Sequence, residues 1–362
     1  MSDDPRDFGF YMPAEWAPHK CCWMAWPSRQ GMFGDNEATA RAYAEVANTI
    51  ARFEPVKMLV PPPKLEGARA LLGPGVEIIE MMIDDSWTRD SGPNFLVNDA
   101  GELAGSTFVF NAWGKKYHPY DQDALMGKRI LDLAGVRRFA SELVAEGGGV
   151  TVDGEGTVIT TETCFLNPNR NPGWTKKEVG DELCRMLGAE KVIWIPGDPT
   201  DPETDGHADG VVAFIEPGRV LVEINSDRTD PHWHIGEINR DALIGQTDAR
   251  GRKLELEFIE EGHYHPGVWN GGCSSYVNSY LANGAVIVGG YGYDRDPQAV
   301  EVYERLYPDR EIVQVQVNDI AVGGGGVHCI TQQQPRTGMT GRPWEPGPAD
   351  GSAYTRRPPG GI

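Results

Sequence analysis

The order of apolar and polar positions in the first part of the chain predicts alternating helices and strands. Apolar residues recur at helical spacing over 36–53, which predicts an amphipathic helix. A short apolar run at 56–60 predicts a buried strand, and a second helix and strand are predicted at 65–72 and 76–83. Residues 1–35 contain several tryptophans without an apolar period, and we expect them to form mainly loops.

The same order of elements returns along the rest of the chain, with a polar, glycine-containing loop after each helix and strand. The further predicted helices are 122–134, 176–187 and 297–306, and the further predicted strands are 139–144, 157–161, 192–195, 211–215, 219–224, 276–281, 285–288 and 312–317. Recurrence about every sixty to seventy residues indicates an α/β protein built as a closed array of similar units. A doubly wound α/β sheet fits the same alternation, so the pattern alone leaves both architectures open.

The composition is that of an acidic globular protein. The chain has 362 residues, 40% of them hydrophobic, with 53 acidic and 33 basic side chains and a net charge of −20. Nucleic-acid binding requires a basic surface, so this charge argues against a nucleic-acid partner. The field of an acidic protein attracts small cations. No apolar stretch reaches the roughly 18 residues that a membrane-spanning helix needs, and we expect no membrane association.

Cysteine use and the N-terminal residues bear on the compartment. The six cysteines include no CxxC pair, which argues against a structural zinc site. The N-terminal residues show neither the basic segment nor the apolar segment of a secretory signal. We therefore expect a cytoplasmic protein with free thiols.

Four consecutive glycines, 323–326, come just before Cys329. Glycine lets the backbone come close to a ligand, so this turn is able to hold a thiol rigidly and leave it exposed, as a nucleophile requires. The thiolate is the reactive form, and a nearby cation lowers the pKa of a thiol. Protonated His207 or a cationic substrate would supply that charge. A buried structural role is the alternative, and Cys273, after Asn270 and two glycines, is a rival nucleophile.

Acidic residues and one histidine lie in turn-like segments elsewhere in the chain. His207 stands between Asp205 and Asp209, and its ordinary pKa of ~6.5 suits a general acid and base. Asp90 follows an arginine and Glu146 precedes three glycines, so an ion pair and a plain turn residue are the respective alternatives. Taken together, these carboxylates match a guanidinium, which presents its N–H donors in a fixed fork. The predicted substrate is therefore a small, flat cation.

A metal site is a further alternative, because the chain contains two pairs of closely spaced histidines. His232 and His234 form the first pair, and His263 and His265 form the second. Residues two apart share a face only on a strand, and no third ligand is evident in the sequence. We therefore expect no metal site.

Long segments of the chain resemble the agmatine deiminase family, within the larger guanidine-modifying (pentein) superfamily and related to bacterial-type peptidylarginine deiminases. The matching segments are 12–19, 87–93, 110–114, 146–148, 161–172, 203–209 and 328–333. They follow the family order over roughly residues 10–335, which is far more specific than one short motif.

The resemblance implies a fold, an oligomeric state and a reaction. It implies a single five-bladed α/β propeller over 1–335 with a central active site. Residues 336–362 are rich in Pro and Gly and have no apolar period, so their composition predicts a flexible extension. Family members are commonly dimers or larger. The implied reaction is hydrolysis of the agmatine guanidinium to N-carbamoylputrescine and ammonia, through a covalent cysteine thiouronium and without metal or cofactor.

The resemblance also assigns a role to each site residue. The assignments are Cys329 as nucleophile, His207 as general acid and base, Glu146 as the residue that orients His207, Asp90 and Asp209 as guanidinium ligands, and Trp87 as an aromatic wall against the aliphatic arm of the substrate.

Departures from the family leave the substrate arm open, and the shared Cys and His chemistry leaves the acceptor of the amidino group open. Gly326 stands where the family usually has asparagine, and 267–275 is richer in glycine than expected. These differences affect the pocket for the far end of the substrate. Another guanidino compound therefore stays open as substrate. So does an amidinotransferase that passes the amidino group to an amine, and a non-catalytic binding protein is a third alternative.

Overall fold

A computed structural model gives the fold of residues 3–230, 232–262 and 272–337. Most of the predicted C-terminal extension lies outside these described residues, as do the second histidine pair and much of the glycine-rich segment named above. None of the described helices is long and apolar enough to cross a membrane.

The strands of the described residues form five small mixed sheets instead of one continuous sheet. In the four three-stranded sheets, the middle strand pairs antiparallel with the strand before it and parallel with the strand after it. A helix connects each parallel pair, because parallel strands require a crossover connection. This repetition confirms the α/β class and agrees with the five-bladed arrangement that the resemblance implies, whereas the doubly wound alternative is wrong.

The elements of the first three units are as follows in chain order. The first unit contains β1 (His19–Ala25), α1 (Asn36–Ile50), β2 (Val56–Val60), α2 (Leu65–Leu71) and β3 (Val76–Glu80). A short helix, α3 (Thr88–Ser91), leads to the second unit with β4 (Asn94–Val97), β5 (Leu103–Val109), the turn α4 (Ala112–Lys115), α5 (Met126–Ala134) and β6 (Arg137–Val144). The third unit contains β7 (Val150–Val152), β8 (Thr157–Thr161), α6 (Glu162–Phe165), α7 (Lys176–Leu187) and β9 (Lys191–Ile195).

The last two units and the closing strand complete the order. The fourth unit contains β10 (Val212–Glu216), β11 (Arg219–Ile224), α8 (Trp233–Leu243) and β12 (Glu255–Glu260). The fifth contains β13 (Tyr280–Ala282), β14 (Ala285–Gly290), α9 (Asp296–Leu306) and β15 (Glu311–Gln316), and it is followed by α10 (Asn318–Ala321) and β16 (Gln332–Pro335).

Strand β16 closes the array by pairing antiparallel with β1, with Trp23 opposite Gln332. The first unit thus receives its antiparallel strand from a segment about three hundred residues away, and the two ends of the array share one sheet. The expectation of loops over 1–35 is wrong for β1. This strand is buried on both faces along most of its length, so it shows no alternation of apolar and polar residues.

Local capping sets the bounds of the longer helices. Helix α1 begins after Asp35, whose side chain accepts hydrogen bonds from two backbone N–H groups of the first turn. Helix α7 begins with a capping box between Thr175 and Glu178, and ends at Gly188, which has a φ of 62°. Both helices turn an apolar face inward, which explains why the helical period in the sequence located them.

The connections that enter the first strand of each sheet carry the polar side chains of interest. They precede β4, β7, β10, β13 and β16 and hold, in that order, Asp90, Glu146, the pair His207 and Asp209, Asn278, and Cys329. Since these five connections occupy equivalent places in the repeated unit, the fold delivers one or two polar side chains from each unit to a common region.

A buried polar cluster joins the first and fifth units. Glu54 accepts hydrogen bonds from the Tyr280 hydroxyl at 2.6 Å and the Asn283 backbone N–H at 2.8 Å, and its carboxylate lies 3.1 Å from His19 Nδ1. Burial alone would raise the pKa of Glu54, but His19 and these donors lower it below its usual value. The folded state therefore keeps this carboxylate charged and fully partnered.

We predict that Glu54→Ala lowers the free energy of unfolding by about 3 kcal/mol or more, because buried donors lose their acceptor. Glu311→Ala is the matched control, since its 2.6 Å pair with Arg52 is about half exposed, and it should cost less than about 1 kcal/mol. Urea unfolding at neutral pH measures both. The excess stability due to Glu54 should disappear as the pH falls through its depressed pKa, since only the carboxylate form has these partners. Equal costs for the two variants would contradict the prediction.

Candidate active site

Three of the predicted site residues surround the backbone of Gly148. A Cβ atom at Gly148 would lie 2.7 Å from His207 Nδ1, 2.8 Å from Asp90 Oδ1 and 3.0 Å from Asp209 Oδ2. Such distances exclude any larger residue unless the three side chains move apart. The run of glycines after Glu146 therefore lets a backbone segment pass through the centre of the site.

The His207 ring lies among carboxylates without a hydrogen bond from either ring nitrogen to any described residue. Its Nε2 is 3.6 Å from Glu146 Oε2, and its Nδ1 is 3.7 Å from Asp90 Oδ1 and 4.0 Å from Asp209 Oδ1. Burial would lower the pKa of His207, but Asp90, Cys164 and Glu146 raise it well above its usual value. The ring thus carries a proton and keeps Nδ1 free for a ligand between the two aspartates.

Asp90 is fixed by two neutral donors. Its Oδ1 accepts a hydrogen bond from the Gly148 N–H at 3.0 Å, and its Oδ2 accepts one from Trp113 Nε1 at 2.9 Å. Burial raises the pKa of Asp90 above its usual value, and the nearby charges of Asp209 and Glu146 add to this. This carboxylate therefore gains most from a cation placed against it.

Trp113 reaches Asp90 from a left-handed turn. Ala112, Trp113, Gly114 and Lys115 have φ values of 54°, 53°, 89° and 65°. The left-handed region costs a non-glycine residue roughly 1–2 kcal/mol, and such strain is concentrated at functional sites. Sequence reasoning included this tryptophan in a matching segment without giving it a role. The donor to Asp90 is what the structure adds.

Glu146 is held by Arg170, a second residue that sequence reasoning missed. Arg170 Nε donates to Glu146 Oε1 at 2.7 Å, and its Nη1 donates to Asp205 Oδ2 at 2.7 Å. Burial alone would raise the pKa of Glu146, but the Arg170 guanidinium holds it below its usual range. One carboxylate oxygen is thus neutralised, and the other faces His207.

Asp209 is supported by a chain of buried charges. Its Oδ2 accepts a hydrogen bond from His328 Nδ1 at 2.8 Å, and His328 Nε2 donates to Glu15 Oε1 at 2.8 Å. Arg89 Nη1 lies 3.2 Å from the same Glu15 oxygen. Burial opposes the charge of Asp209, yet the hydrogen bond and charge of His328 lower its pKa. Asp209 is therefore ionised before any ligand binds.

The Cys329 sulfur joins this group beside Asp209. Its Sγ is 3.6 Å from Asp209 Oδ2 and 3.1 Å from Asn278 Nδ2. The expectation of an exposed thiol is wrong, because Cys329 is only 7% exposed. The glycine run packs the cysteine closely against neighbouring side chains. A Cβ at Gly325 would lie 3.1 Å from this sulfur. Burial, Asp209 and Asp90 raise the pKa of the thiol well above its usual value. The thiol therefore stays protonated until a further cation binds beside it.

The two remaining candidates occupy different places. Trp87 is buried, its ring centroid lies 5.8 Å from that of Phe33, and it packs against the glycines that precede Cys329. Its role as an aromatic wall stays a prediction. Cys273 faces the same cavity as Cys329, but its sulfur lies 3.9 Å from the Tyr291 hydroxyl, and burial raises its pKa to about 12.

Two clusters among the described residues have three potential metal ligands close together. Glu146, Cys164 and His207 form the first, and Asp230, His232 and Glu261 form the second. In the first cluster, Arg170 already binds the carboxylate and burial raises the pKa of the Cys164 thiol, so the donor set suits a metal ion poorly. The second cluster uses one histidine of the first pair and is partly exposed. The absence of a functional metal stays a prediction.

An acidic cavity of about 730 Å³ opens onto the site. Besides His207, Asp209, Asn278 and Cys329, it is lined by carboxylates, among them Asp198, Asp201 and Glu203. No lysine or arginine lines it among the described residues, although it is also lined by His232, whose pKa Glu261 raises to about 9. The cavity therefore favours a ligand whose far end is cationic and disfavours one that ends in a carboxylate.

Comparisons with known proteins identify relatives over nearly the whole chain. Residues 11–335 match the Porphyromonas-type peptidyl-arginine deiminase family. A Legionella pneumophila protein is 41% identical over 344 residues, which cover 93% of this chain and 98% of that protein. The agmatine deiminase of Stutzerimonas stutzeri is 38% identical over 362 residues, covering 92% of this chain and 98% of that protein.

Solved structures agree with these relatives. The structure of the agmatine deiminase of Enterococcus faecalis, determined with the enzyme catalysing its reaction, is 34% identical and superposes with a TM-score of 0.90 over 93% of this chain and 98% of that chain. An agmatine deiminase of C. jejuni is 22% identical with a TM-score of 0.81, over 91% of this chain and 97% of that chain, and it supports the fold alone.

We predict that Asp209→Asn makes the Cys329 thiol easier to ionise, because it removes the closest negative charge and leaves the His328 charge in place. Alkylation of Cys329 by iodoacetamide, followed against pH by mass spectrometry, should therefore reach its half-maximal rate at lower pH than in the unaltered protein. An unchanged or higher midpoint would show that the carboxylate does not act on the sulfur.

Proposed function

The chain belongs to the Porphyromonas-type peptidyl-arginine deiminase family, and from that premise we propose that it is an agmatine deiminase. The reaction is hydrolysis of the agmatine guanidinium to N-carbamoylputrescine and ammonia. It belongs to the hydrolases that act on C–N bonds of linear amidines.

The observation that carries the residue assignment is the arrangement of two buried aspartates beside one thiol and one protonated histidine. A guanidinium placed between Asp90 and Asp209 would donate to both carboxylates in its own plane. The Cys329 sulfur, beside Asp209, would then face the guanidinium carbon. Fixed orientation of this kind replaces a bimolecular encounter by a local one.

Charge makes the substrate an activator of its own nucleophile. In the free protein, burial and the two aspartates keep the Cys329 thiol protonated. A bound guanidinium compensates both carboxylates and adds a positive charge next to sulfur, which lowers the pKa of the thiol. Sulfur loses its proton to solvent and is ready only when the correct cation is present.

The first half-reaction breaks a C–N bond. Sulfur attacks the guanidinium carbon, an S–C bond forms, and the electrons of the C=N bond move to nitrogen. His207 donates its Nδ1 proton to the departing nitrogen, since this ring nitrogen faces the two aspartates and Nε2 faces Glu146. Ammonia leaves with the C–N electrons, and a covalent thiouronium remains on Cys329.

The second half-reaction returns the enzyme to its starting state. His207, now neutral, takes a proton from water, and the oxygen attacks the thiouronium carbon. The C–S bond breaks with its electrons returning to sulfur, the hydroxyl proton is released, and a urea leaves. Glu146 holds the ring so that the same nitrogen serves in both halves, which makes it a positioning residue.

Agmatine is favoured over arginine because of the cavity. Agmatine ends in an ammonium group, whereas arginine carries a carboxylate at the corresponding end. The carboxylates that line the cavity would attract the first and repel the second, and they outnumber the positive charges of His207 and His232 in the described lining. The cytoplasmic location, the oligomeric state and the role of Trp87 stay predictions.

We predict ammonia release in a panel of agmatine, arginine and peptidyl-arginine, with agmatine as the best substrate and no requirement for an acceptor amine. Cys329→Ser should lower kcat by about a thousandfold or more, because the nucleophile is lost. Cys273→Ser is the matched control and should keep most of the activity. Release of putrescine in place of ammonia, and only when an acceptor amine is added, would favour an amidinotransferase. Loss of activity in Cys273→Ser alone would assign the nucleophile to Cys273.

We predict that Trp113→Phe moves the acidic limb of the kcat/KM profile to higher pH. The variant keeps an aromatic ring but removes a donor to the charged form of Asp90, which raises the pKa of that carboxyl further. Near neutral pH, kcat/KM should fall by about tenfold. The test is a kcat/KM profile for agmatine, measured between pH 5 and 9 in steps of about one pH unit. An acidic limb that does not move would show that Asp90 is not the group that titrates.

A further inference from the structure

Asn278 makes the shortest polar contact to the Cys329 sulfur among the described residues. Its Nδ2 lies 3.1 Å from Sγ, closer than the 3.6 Å between Sγ and Asp209 Oδ2. Asn278 is 2% exposed, so its amide is largely shielded from bulk water even though it lines the cavity. Sequence reasoning placed this residue inside a predicted strand, 276–281, but strand β13 begins only at Tyr280, and residues 276–279 form a loop.

The orientation of the Asn278 amide follows from its other partners. Its Oδ1 lies 3.0 Å from the backbone N–H of His328 and 3.4 Å from that of Cys329. Both of these groups only donate, so they require the oxygen on their side. The NH₂ group must therefore face Sγ and the backbone oxygen of Asp209, which lies 3.3 Å away. The amide nitrogen therefore donates to sulfur, and Oδ1, which lies 3.4 Å from Sγ, accepts from the thiol only while the sulfur is protonated.

The loop that carries Asn278 is itself held by a buried acid. Glu223 Oε2 accepts hydrogen bonds from the Ser275 hydroxyl and the Tyr276 N–H, both at 2.9 Å. The Asn278 N–H lies 3.3 Å from the Ser275 hydroxyl oxygen. Burial raises the pKa of Glu223 well above its usual value, although these donors oppose the shift. A backbone fixed in this way leaves the Asn278 side chain little freedom to leave the sulfur.

Gly326 provides the space that the amide occupies. A Cβ at this position would lie 2.6 Å from Asn278 Oδ1, so any larger residue would push the amide away from its partners. The position of the Asn278 amide therefore explains why residue 326, the fourth glycine of the run, is a glycine. In the sequence this glycine is a departure from the family pattern, and the structure gives it a partner.

We propose that Asn278 is a catalytic residue that donates a hydrogen bond to the Cys329 thiolate whenever the sulfur carries negative charge. This inference rests on the proposed function, because it concerns the nucleophile of that reaction. Sulfur is charged twice in each turnover, before it attacks the guanidinium carbon and after the C–S bond breaks. A fixed amide donor stabilises both states, since hydrogen bonds to charged groups are the strong ones in a dry site.

The other groups that face the sulfur act in the opposite direction or from further away. Asp209, Asp90 and Cys273 each disfavour the thiolate, and the Gly326 backbone N–H favours it. The charge of His328 reaches sulfur through Asp209, to which it is bonded. Asn278 is therefore the side-chain donor, among the described residues around Sγ, that offsets the two aspartates before substrate arrives.

The experiment follows the alkylation of Cys329 against pH in the free protein, together with kcat and KM for agmatine. In Asn278→Ala the midpoint of alkylation should move to higher pH, and the rate at neutral pH should fall by about tenfold or more. The value of kcat should fall by about ten- to a hundredfold with little change in KM, because the amide contacts sulfur and not the guanidinium site. Asn278→Asp keeps the shape but places a carboxylate against sulfur, and its midpoint should lie higher still.

Ser279→Ala is the matched control, because Ser279 is the next residue and its hydroxyl donates to the Tyr303 hydroxyl at 2.7 Å without contacting sulfur. Its alkylation profile should match that of the unaltered protein. If Asn278→Ala is alkylated like the unaltered protein at every pH, the inference is overturned, even if kcat falls. If the unaltered protein releases no ammonia from agmatine, the proposed function fails, and the alkylation profiles still decide the role of Asn278.

Discussion

The structure depends on keeping three carboxylates ionised or nearly so in one buried place. Burying like charges together is costly unless each finds a partner. Glu146 has Arg170 and Asp209 has His328, and in both cases the partner lowers the pKa of the acid. Asp90 has only neutral donors besides His207, and its pKa is raised. Asp90 is therefore the one of the three carboxylates without a hydrogen bond from a cation, and a guanidinium would supply such a donor.

The repeated unit makes this concentration of charge geometrically simple. Each connection into the first strand of a sheet occupies the same place in its unit, so side chains far apart in sequence meet without any long excursion of the chain. Arg170, which pairs with Glu146, and Arg89, which pairs with Glu15, are buried as well. The long helices that connect the parallel strands hold none of the proposed catalytic residues, which lie in loops and in short helical turns.

Much of this could be predicted from sequence, for reasons that differ among residues. The helical period located α1, α7 and α9, and the glycine run indicated Cys329 as a nucleophile. The supporting residues were not accessible in the same way. Arg170 and His328 act through partners that only the fold brings together. Asn278 lies in an apolar stretch with tyrosine and valine, which is typical of a strand, and a buried glutamate holds it out of the sheet.

The pairing of β16 with β1 makes the position of the reactive sulfur depend on closure of the array of five sheets. Cys329 lies three residues before β16, and the Arg89 N–H donates to its carbonyl oxygen at 3.1 Å, so Cys329 and the strand that follows it are both held by segments from the first hundred residues of the chain. Long-range contacts of this kind form late in folding, because their loop-closure entropy is large. A partly folded chain would therefore carry a thiol without its imidazole or its acids. Catalytic activity would then arise in a single step, when the last tertiary contacts form.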